Sequence, residues 1–239
     1  MPGGEGVAGA QQSRNRLLAL LSAHDRGLIL NQSAPVKFEA REVLYHSDDA
    51  MPFCYLVESG VISLMTILSD GQPAEVGLVG PEGMVGLSPL MGSNHSPGEA
   101  IVQLAGAGQR IRADALKRLF ETHEGIRAAI LKFVQARTVQ ISQTVVCNSR
   151  HDTQQRVARW LLAVDSRSAG ATVTVTQESL AMILGVRRQQ VSISAAALQK
   201  AGFITYQHGV IEVTDLAGLK TAACECFGVV EREYERLLA

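Results

Sequence analysis

Five side chains lie close together in the sequence, in Arg187-Arg188-Gln189-Gln190 and at Ser192, and have the chemistry needed to contact DNA. The arginine fork matches the O6 and N7 acceptors of guanine, glutamine can pair with adenine through two hydrogen bonds, and serine reaches a base or a phosphate. An arginine pair alone is more often a solvated helix terminus. The surrounding residues therefore decide between these interpretations.

The residues around this group fit a helix-turn-helix. Thr176 is a good N-cap for a first helix, Gly185 can end that helix with a positive φ, and Val186 fills the corner before Arg187 opens a second helix. The first helix has an apolar face of Leu180, Ala181 and Leu184. The second helix directs three apolar residues inward: Val191, Leu198 and Ala201. The second helix can enter a major groove with its N-terminal side chains first.

A hairpin follows the second helix. Gly202 ends that helix, and two β-rich segments, Phe203–Tyr206 and Val210–Val213, flank a short turn that contains His208. Helix, turn, helix and hairpin together predict a winged DNA-binding domain. Its predicted DNA-contacting residues are Thr176, Arg187, Arg188, Gln189, Gln190, Ser192 and His208.

Composition is typical of a folded protein. With 239 residues, 46% hydrophobic and 19% charged, the chain suits two domains with substantial cores. No run approaches the roughly 20 apolar residues of a membrane span, and Met1–Ala10 lacks the apolar core of a signal peptide. We therefore expect a cytoplasmic protein without a membrane partner.

The net charge of −1 is unusual for a DNA-binding protein until it is divided by segment. Residues 150–205 contain seven Lys or Arg against three Asp or Glu, a net charge of +4, whereas residues 206–239 contain three against six, a net charge of −3. The positive charge is thus concentrated where phosphate contact requires it.

The N-terminal half has the pattern of an all-β barrel or jelly roll, after a helix predicted near Ser13–Leu30. Glu58-Ser59-Gly60 and Asp70-Gly71 are the predicted turns. The predicted strands are Val43–Tyr45, Cys54–Val57, Val61–Leu68, Glu75–Val79 and Ala100–Leu104. Between Gly80 and Gly98 a glycine-rich segment could line a small cavity with backbone N–H groups, although barrel corners have the same composition.

From Asp114 to Thr153 the period becomes helical over about five turns. The repeating residues are Ile126, Ile130, Phe133, Arg137, Ile141 and Thr144. Packing on the chain's own barrel would explain this stripe, but its coiled-coil character favours a parallel dimer helix. Such a dimer would place two recognition helices about 34 Å apart and predicts a palindromic DNA site.

The four cysteines, Cys54, Cys147, Cys224 and Cys226, do not have zinc-finger spacing, so we expect no structural metal. Cys224 and Cys226 fall on a predicted C-terminal helix, Leu216–Leu238, where this spacing would direct their thiols to different faces. Small, buried or half-buried cysteines are thus favoured over a redox switch.

The same C-terminal helix carries alternating charges at Glu231, Arg232, Glu233, Glu235 and Arg236, a pattern typical of a solvated face. Apolar residues can pack it against the winged domain or the dimer helix; these are Ala222, Ala223, Phe227, Val230, Tyr234 and Leu237. A contact with RNA polymerase, or stabilisation of an inactive arrangement, is a further expectation for this helix.

Several segments resemble the Crp/Fnr family of bacterial transcription regulators, over nearly the whole chain. The matching segments are Tyr55–Leu64, Glu75–Leu87, Cys147-Asn148, Arg156–Leu162 and Thr176–Ile204. The resemblance implies an α+β fold: residues 1–121 form an N-terminal helix and a jelly-roll-like, cyclic-nucleotide-binding-like β-roll, residues 122–150 a dimerisation helix, and residues 151–239 the winged helix-turn-helix. It also implies a homodimer that responds to a signal.

Departures from the family pattern argue against cyclic AMP as the signal. The phosphate-binding segments of cyclic-AMP-binding members correspond here to Gly86-Leu87-Ser88 and Gly98-Glu99-Ala100, where their arginine and glutamate are missing. Glu99 would repel an anionic phosphate. The adenine-facing positions of such members correspond to Ile141 and Ser142. These residues, from Gly86 to Ser88, Glu99, Ala100, Ile141 and Ser142, are the ligand-pocket candidates.

Other family sensors are also poorly matched, so the cofactor is left unknown. Met1–Phe53 contains no cysteine, whereas oxygen-sensing members hold an iron–sulfur centre through N-terminal cysteines. Haem ligation is not supported beyond the presence of candidate histidines, which are more often surface or loop residues. These histidines are His24, His46, His95 and His123.

In the second helix, Ile193 stands where well-known members have an arginine, so the operator should differ from theirs. The leading interpretation is a sequence-specific, DNA-binding transcription regulator. The alternative is a ligand-sensing module that regulates a protein partner without DNA. An enzyme is the weakest candidate, because no catalytic set or phosphate-binding loop is evident.

Overall fold

The computed structural model describes residues 13–69 and 71–239. Two sequence expectations fall outside these residues: the absence of a signal peptide in Met1–Ala10 and the part of the predicted turn contributed by Asp70. At the other residue of that turn, Gly71 has φ +81°, and its N–H donates to the Leu68 carbonyl at 2.9 Å. The chain therefore reverses direction here, as predicted.

The predicted N-terminal helix is interrupted. It consists of α1 (Arg16–Ala19) and α2 (Ala23–Leu30), because the Ser22 hydroxyl accepts the Asp25 N–H at 3.0 Å and caps a new helix. The buried Asn15 fixes α1 to the following domain, since its side-chain amide donates to two backbone carbonyls at 2.7 Å each.

The N-terminal domain is a β-roll in which every strand pair is antiparallel. Its main path runs β1-β6-β3-β4, with β2 added to β6 and β5 added to β3. A 3₁₀ turn, Ser88–Met91, follows β5. The strands are β1 (Ser33–Phe38), β2 (Val43–Tyr45), β3 (Phe53–Ile67), β4 (Pro73–Val79), β5 (Met84–Val85) and β6 (Glu99–Arg112).

The predicted turn at Glu58-Ser59-Gly60 is wrong. These residues lie within the continuous strand β3, which changes register against β6 three times between Val57 and Ile62. Gly60 has φ +87°, and a Cβ there would lie 2.6 Å from the Leu104 carbonyl oxygen. The segment is therefore a bulge that bends one long strand. Its residue types are also typical of turns, which is why the sequence pattern predicted a chain reversal. The proline-containing β1 was not predicted.

Two helices follow the β-roll, α3 (Ala113–Thr122) and α4 (Glu124–Arg150). The dimer seam predicted on α4 is wrong in five of its six residues: Ile126, Ile130, Phe133, Arg137 and Thr144 are buried within the chain itself, whereas Ile141 is 40% exposed. Phe133 packs directly on Gly83 of the β-roll, where a Cβ would collide with its ring. Most of the helical stripe thus serves the chain's own core.

The C-terminal domain begins with α5 (Thr153–Ser168), whose N-cap Asp152 accepts the Gln155 N–H at 2.9 Å. A small antiparallel sheet of order β7-β9-β8 packs with the helices. The elements after α5 are β7 (Val173–Thr174), α6 (Gln177–Leu184), α7 (Arg188–Lys200), β8 (Ile204–Gln207), β9 (Val210–Val213), α8 (Leu216–Ala222) and α9 (Cys226–Leu238).

The C-terminal helix predicted as one element is therefore two. Ala223–Glu225 separate α8 from α9, and Cys224 lies in this connection rather than on a helix. As a result Cys224 and Cys226 do not face different sides: together with Cys147 they form one buried cluster. The expectation of separate, isolated thiols is wrong, because it assumed a continuous helix.

Helix α9 packs against both domains. Val230, Tyr234 and Leu238 belong to the core of the β-roll and α4, whereas Phe227 packs against the core of the winged domain. Arg16 donates to the carbonyl oxygens of Tyr234 and Leu238 at 3.3 Å each. The last helix of the chain thus returns to the first domain.

Buried polar contacts join the two domains. Arg167 on α5 binds Glu82 of the β-roll at 2.7 Å and lies 3.9 Å from Glu231 on α9. Trp160 donates its indole N–H to Glu75 at 3.3 Å. Within residues 13–69 and 71–239, no helix is both long enough and apolar enough to span a bilayer.

Candidate nucleic-acid interface

The first helix of the predicted reader, α6, has the expected ends. The Thr176 hydroxyl accepts the Ser179 N–H at 3.0 Å, which satisfies one of the free donors at the helix N-terminus. Gly185 adopts the left-handed conformation with φ +61°, and the Val186 N–H then donates to the Ala181 carbonyl at 3.0 Å. This closure fixes the angle at which the next helix leaves.

The second helix, α7, begins one residue later than predicted, with Arg187 as its N-cap. The Gln190 side chain accepts the Arg187 N–H at 3.2 Å, so one of its polar atoms is already engaged. Val191 and Leu198 are buried as expected, but Ala201 is exposed because the helix has ended at Lys200. The inward position predicted for Ala201 is wrong.

One face of α7 is not covered by the rest of the chain. Arg188, Gln189 and Lys200 are exposed, Ser192 is half-buried, and the Ile193 side chain is 64% exposed. Because the hydrophobic effect favours burial, a large apolar side chain with this exposure contributes little to the stability of the fold. The exposed face therefore combines hydrogen-bonding side chains with one apolar side chain.

The hairpin wing has the geometry that the sequence predicts. His208 and Gly209 both have positive φ, 51° and 79°, and connect β8 to β9 as a two-residue turn. The Tyr206 hydroxyl donates to the Val175 carbonyl at 2.9 Å, and its backbone N–H donates to the Gln199 side chain at 2.6 Å. These bonds connect the wing to the residue before the Thr176 cap and to the last turn of α7.

Helix α6, helix α7 and the wing enclose an open cleft of about 680 Å³. Three predicted residues, Thr176, Arg188 and His208, come together there. Arg188 Nε lies 3.9 Å from a carboxylate oxygen of Glu178, and both side chains are exposed. The remaining lining residues, Gln177, Glu178, Tyr206 and Gly209, were not predicted to contact DNA, although each lies within two residues of Thr176 or His208.

The local positive charge is smaller than the segment count indicates. Of the seven basic residues in 150–205, Arg156 and Arg167 are buried and are not available to phosphates. Arg187, Arg188 and Lys200 are exposed on or next to α7. Arg150 is exposed at the end of α4, so three of the four exposed basic residues of this segment lie at α7, where they can contact a nucleic-acid backbone.

The first part of the predicted ligand pocket lies inside the β-roll around Tyr45. The Tyr45 hydroxyl hydrogen-bonds with the Gly86 backbone, and Tyr45 pairs with Ala100 across β2 and β6. Burial raises the pKa of Tyr45 to about 12, so the phenol is neutral. Gly86 also accepts a hydrogen bond from the Cys54 thiol at 3.0 Å. An aromatic side chain thus lies beside Gly86 and Ala100.

The other pocket candidates are dispersed. Glu99 is half-buried and binds the exposed His46 at 2.9 Å, which raises the pKa of His46 through this hydrogen bond. Leu87 and Ser88 are half-buried near the 3₁₀ turn. Ile141 and Ser142 are exposed on α4, whereas the β-roll is contacted by Gln140, which donates to the Leu78 carbonyl at 3.2 Å.

The candidate haem ligands lie at the surface. His24, His46 and His95 are exposed and His123 is half-buried. The His95 ring nitrogen lies 2.8 Å from the Asp48 carbonyl oxygen. His46 and His95 thus each have a protein partner, Glu99 and the Asp48 carbonyl, and the geometry gives haem ligation no support.

Two family models match the chain. A cyclic nucleotide-binding domain matches residues 35–123, and a Crp-like helix-turn-helix domain matches residues 155–222. Together they cover about two thirds of the sequence, with the β-roll in one range and the cleft with its helices in the other.

Curated relatives and a solved structure extend the match. The nitrogen fixation regulation protein FixK of Bradyrhizobium diazoefficiens is 29% identical over 204 residues, covering 79% of this chain and 81% of the relative. The anaerobic regulatory protein of Haemophilus influenzae is 22% identical over 198 residues, covering 80% and 76%. The structure of FixK2 from Bradyrhizobium japonicum has the same fold, with a TM-score of 0.68 at 17% identity over 80% of this chain and 98% of that one. Both sequence relatives are regulators rather than enzymes.

Proposed function

Because the chain belongs to the Crp/Fnr family of DNA-binding transcription regulators, we propose that it acts as a homodimer on a palindromic operator and responds to a small molecule other than cyclic AMP. The exposed N-terminal half of α7 beside the cleft is the observation that carries this proposal. The alternative, a module that regulates a protein without DNA, does not account for the matched Crp-like helix-turn-helix.

Base recognition is assigned to the first turns of α7. Arg188 and Gln189 are exposed and project from the helix end that enters a major groove in this motif. Arg187, Gln190 and Ser192 support them, and Ile193 offers an apolar surface suited to a thymine methyl group. Thr176 and His208, which both line the cleft, are proposed to contact the DNA backbone.

Dimerisation is assigned to a stripe of α4 that shares Ile141 with the one predicted from sequence and otherwise differs from it. Five residues at alternating spacings of three and four occupy one side of the helix: Leu131, Val134, Thr138, Ile141 and Val145. Leu131, Ile141 and Val145 are 51%, 40% and 65% exposed, which is unusual for apolar residues of one stripe. A second copy of α4 packed at this seam would cover them with heptad geometry.

The proposed signal follows from the β-roll. The Gly86–Ser88 and Gly98–Ala100 segments lack a cationic side chain, and Glu99 carries a negative charge beside His46. A cyclic nucleotide phosphate would meet this carboxylate without an arginine partner. The Tyr45 ring also fills space next to Gly86 and Ala100. A smaller or uncharged effector fits these features better.

The proposed contact with RNA polymerase is limited to exposed surface. Val230, Tyr234 and Leu238 of α9 are buried in the first domain's core, so the apolar face of this helix is already occupied. Glu235 and Arg232 remain exposed and are the part of α9 open to a protein partner.

Selection of bound duplexes from a random library tests the proposal, with the purified chain used with and without cyclic AMP. We expect one palindromic site to be enriched equally in both selections. Enrichment only with the nucleotide would overturn the assignment of the signal. An enriched site without two-fold symmetry would contradict the dimer, and the absence of enrichment under all conditions would favour the protein-regulating alternative.

A further inference from the structure

A second group of reactive side chains lies away from the DNA-facing surface, where α4 meets α5 and the α8–α9 connection. It consists of Cys147, His151, Cys224 and Cys226, whose potential ligand atoms all lie within 4.8 Å of one another. The three thiols are buried, and the His151 side chain is 14% exposed. The fold has therefore gathered four metal-binding groups in a closed space.

The distances fit one tetrahedral metal ion. The sulfur atoms of Cys147 and Cys224 are 3.5 Å apart, and Cys226 Sγ is 3.5 Å from His151 Nδ1. Ligand atoms bound to zinc at about 2.3 Å in a tetrahedron are separated by about 3.8 Å. We propose that these three cysteines and one histidine form a structural Zn²⁺ site.

The surroundings of His151 support ligation through Nδ1. Its other ring nitrogen, Nε2, lies 3.2 Å from a carboxylate oxygen of Glu225. Zinc-binding histidines commonly donate their second N–H to a carboxylate, which sets the tautomer and orients the ring. This hydrogen bond leaves the lone pair of Nδ1 directed at the cysteine cluster.

The thiolates also have stabilising neighbours. The Gln143 side-chain amide donates to Cys226 Sγ at 3.1 Å. The hydrogen bond between the Cys147 and Cys224 sulfur atoms and the positive charge of Arg159 both favour a thiolate at Cys147. Zinc would displace the remaining thiol protons and leave three thiolates, whose excess negative charge Arg156 and Arg159 oppose.

The four ligands come from different elements of the fold, which gives the site a structural role. Cys147 belongs to the last turn of α4, His151 to the bend between α4 and α5, Cys224 to the connection before α9, and Cys226 to the first turn of α9. One ion would therefore tie the long helix to the winged domain. Binding energy that is available only in the folded arrangement stabilises that arrangement, so the site would fix the position of the DNA-binding elements.

Metal analysis of the reduced full-length protein tests the site directly. We expect one zinc per chain, and Co²⁺ substituted for zinc should show the intense visible bands of tetrahedral thiolate coordination. Cys226→Ser should abolish stoichiometric binding. Cys54→Ser is the matched control, because Cys54 is a buried cysteine whose thiol contacts Gly86 of the β-roll instead, and it should retain the metal.

A milder variant separates ligation from folding. Glu225→Gln leaves all four ligands in place but weakens the support of His151, and should lower zinc affinity about tenfold. Glu235→Gln, at an exposed glutamate of the same helix, should not change it.

Three results would overturn the proposal: reduced protein with four free thiols and no bound zinc, a Cys147–Cys224 disulfide as the only chemistry of the cluster, or iron–sulfur absorption in place of zinc. Each is measured on metal or thiols rather than on DNA. Failure of the zinc site is thus distinguishable from failure of the DNA-binding proposal.

Discussion

Arg188 contacts an acidic neighbour in the free protein, and this contact is weak enough to exchange. Its Nε lies 3.9 Å from Glu178, with 69% and 67% of the two side chains exposed. Exposed pairs of this kind contribute between about 0 and 1 kcal/mol, less than a bidentate arginine–guanine contact. A guanine bound by Arg188 as proposed can therefore displace Glu178.

Replacement of Arg188 should cause a loss of both affinity and selectivity. We expect Arg188→Ala to cost about 1–3 kcal/mol on the selected operator and to relax the preference at one base pair of each half-site. Binding to the operator and to its single-base variants, measured by fluorescence anisotropy, checks both effects.

Lys200→Ala serves as the comparison, because Lys200 is exposed at the far end of the same helix. It should weaken binding to all sequences alike and make the salt dependence less steep, as expected for a phosphate contact. Unchanged operator binding by Arg188→Ala would show that α7 does not read the bases as assigned.

Glu75 is a buried carboxyl whose environment disfavours its charge. Burial raises its pKa, against the opposing hydrogen bonds from Ser63 at 2.7 Å and Trp160 at 3.3 Å. Because the folded pKa exceeds the unfolded one, the folded state binds this proton more tightly. The stabilising contribution is complete below the unfolded pKa, near 4.5, and is lost as pH rises through the folded pKa.

Glu75→Gln should therefore raise the melting temperature more at pH 8 than at pH 5, since glutamine can accept the same hydrogen bonds without a buried charge. Thermal unfolding across this pH range measures the difference. Glu212→Gln, at an exposed glutamate on β9, should leave the pH profile unchanged. Equal profiles for the wild type and Glu75→Gln would mean that Glu75 does not carry this dependence.

At the scale of elements, α4 has two apolar sides. The side bearing Ile126, Ile130 and Phe133 is buried in the first domain's core, whereas Leu131 and Val145 are exposed on another side. Both sets repeat at helical spacing, because any helix that contacts two partners carries two stripes. The exposed stripe is the one available to a second chain.

A charge in the exposed stripe should separate the dimer. We expect Val145→Glu to weaken self-association by about 3 kcal/mol or more, at least a hundredfold, because two carboxylates would be buried without partners. Sedimentation equilibrium measures the change.

Val146→Glu is a closely matched control, since the neighbouring Val146 is 47% exposed and lies about 100° further around the helix. It should leave the dimer intact. Dissociation by Val146→Glu but not by Val145→Glu would place the seam on a different side of α4.

At the scale of the whole molecule, Arg167 links three parts of the fold. It binds Glu82 of the β-roll at 2.7 Å, lies 3.9 Å from Glu231 of α9, and has its guanidinium 5.6 Å from the centre of the Tyr234 ring. Arg167 and Glu82 are almost completely buried, so each charge depends on the other. Their contact fixes α5 and α9 against the first domain.

Removal of one member of this pair should be costly. Arg167→Met leaves Glu82 buried without its cation, and we expect an apparent loss of about 3–5 kcal/mol in denaturant unfolding. Arg236→Met removes an arginine from an exposed pair with Glu233 on α9, and should cost less than about 1 kcal/mol. Similar costs for the two variants would contradict a dominant role for the buried pair.

The sequence by itself determined the elements whose signals are local. The Thr176 cap, the Gly185 turn and the His208-Gly209 hairpin were predictable because capping and positive φ depend on a few neighbouring residues. The same kind of local signal predicted a turn at Glu58–Gly60, where the structure has a β-bulge made of residue types that are typical of turns. The exposed polar residues at the start of α7 also followed from this local pattern.

Only the tertiary structure decided which surfaces meet. Periodicity on α4 could not show which of its two stripes is internal, because both have helical spacing. The cleft partner Glu178 and the buried ion pair of Arg167 depend on contacts between separate elements. Cys147 and Cys224 are 77 residues apart in the sequence. They come together because α9 packs on α4, and no spacing in the sequence could predict this contact.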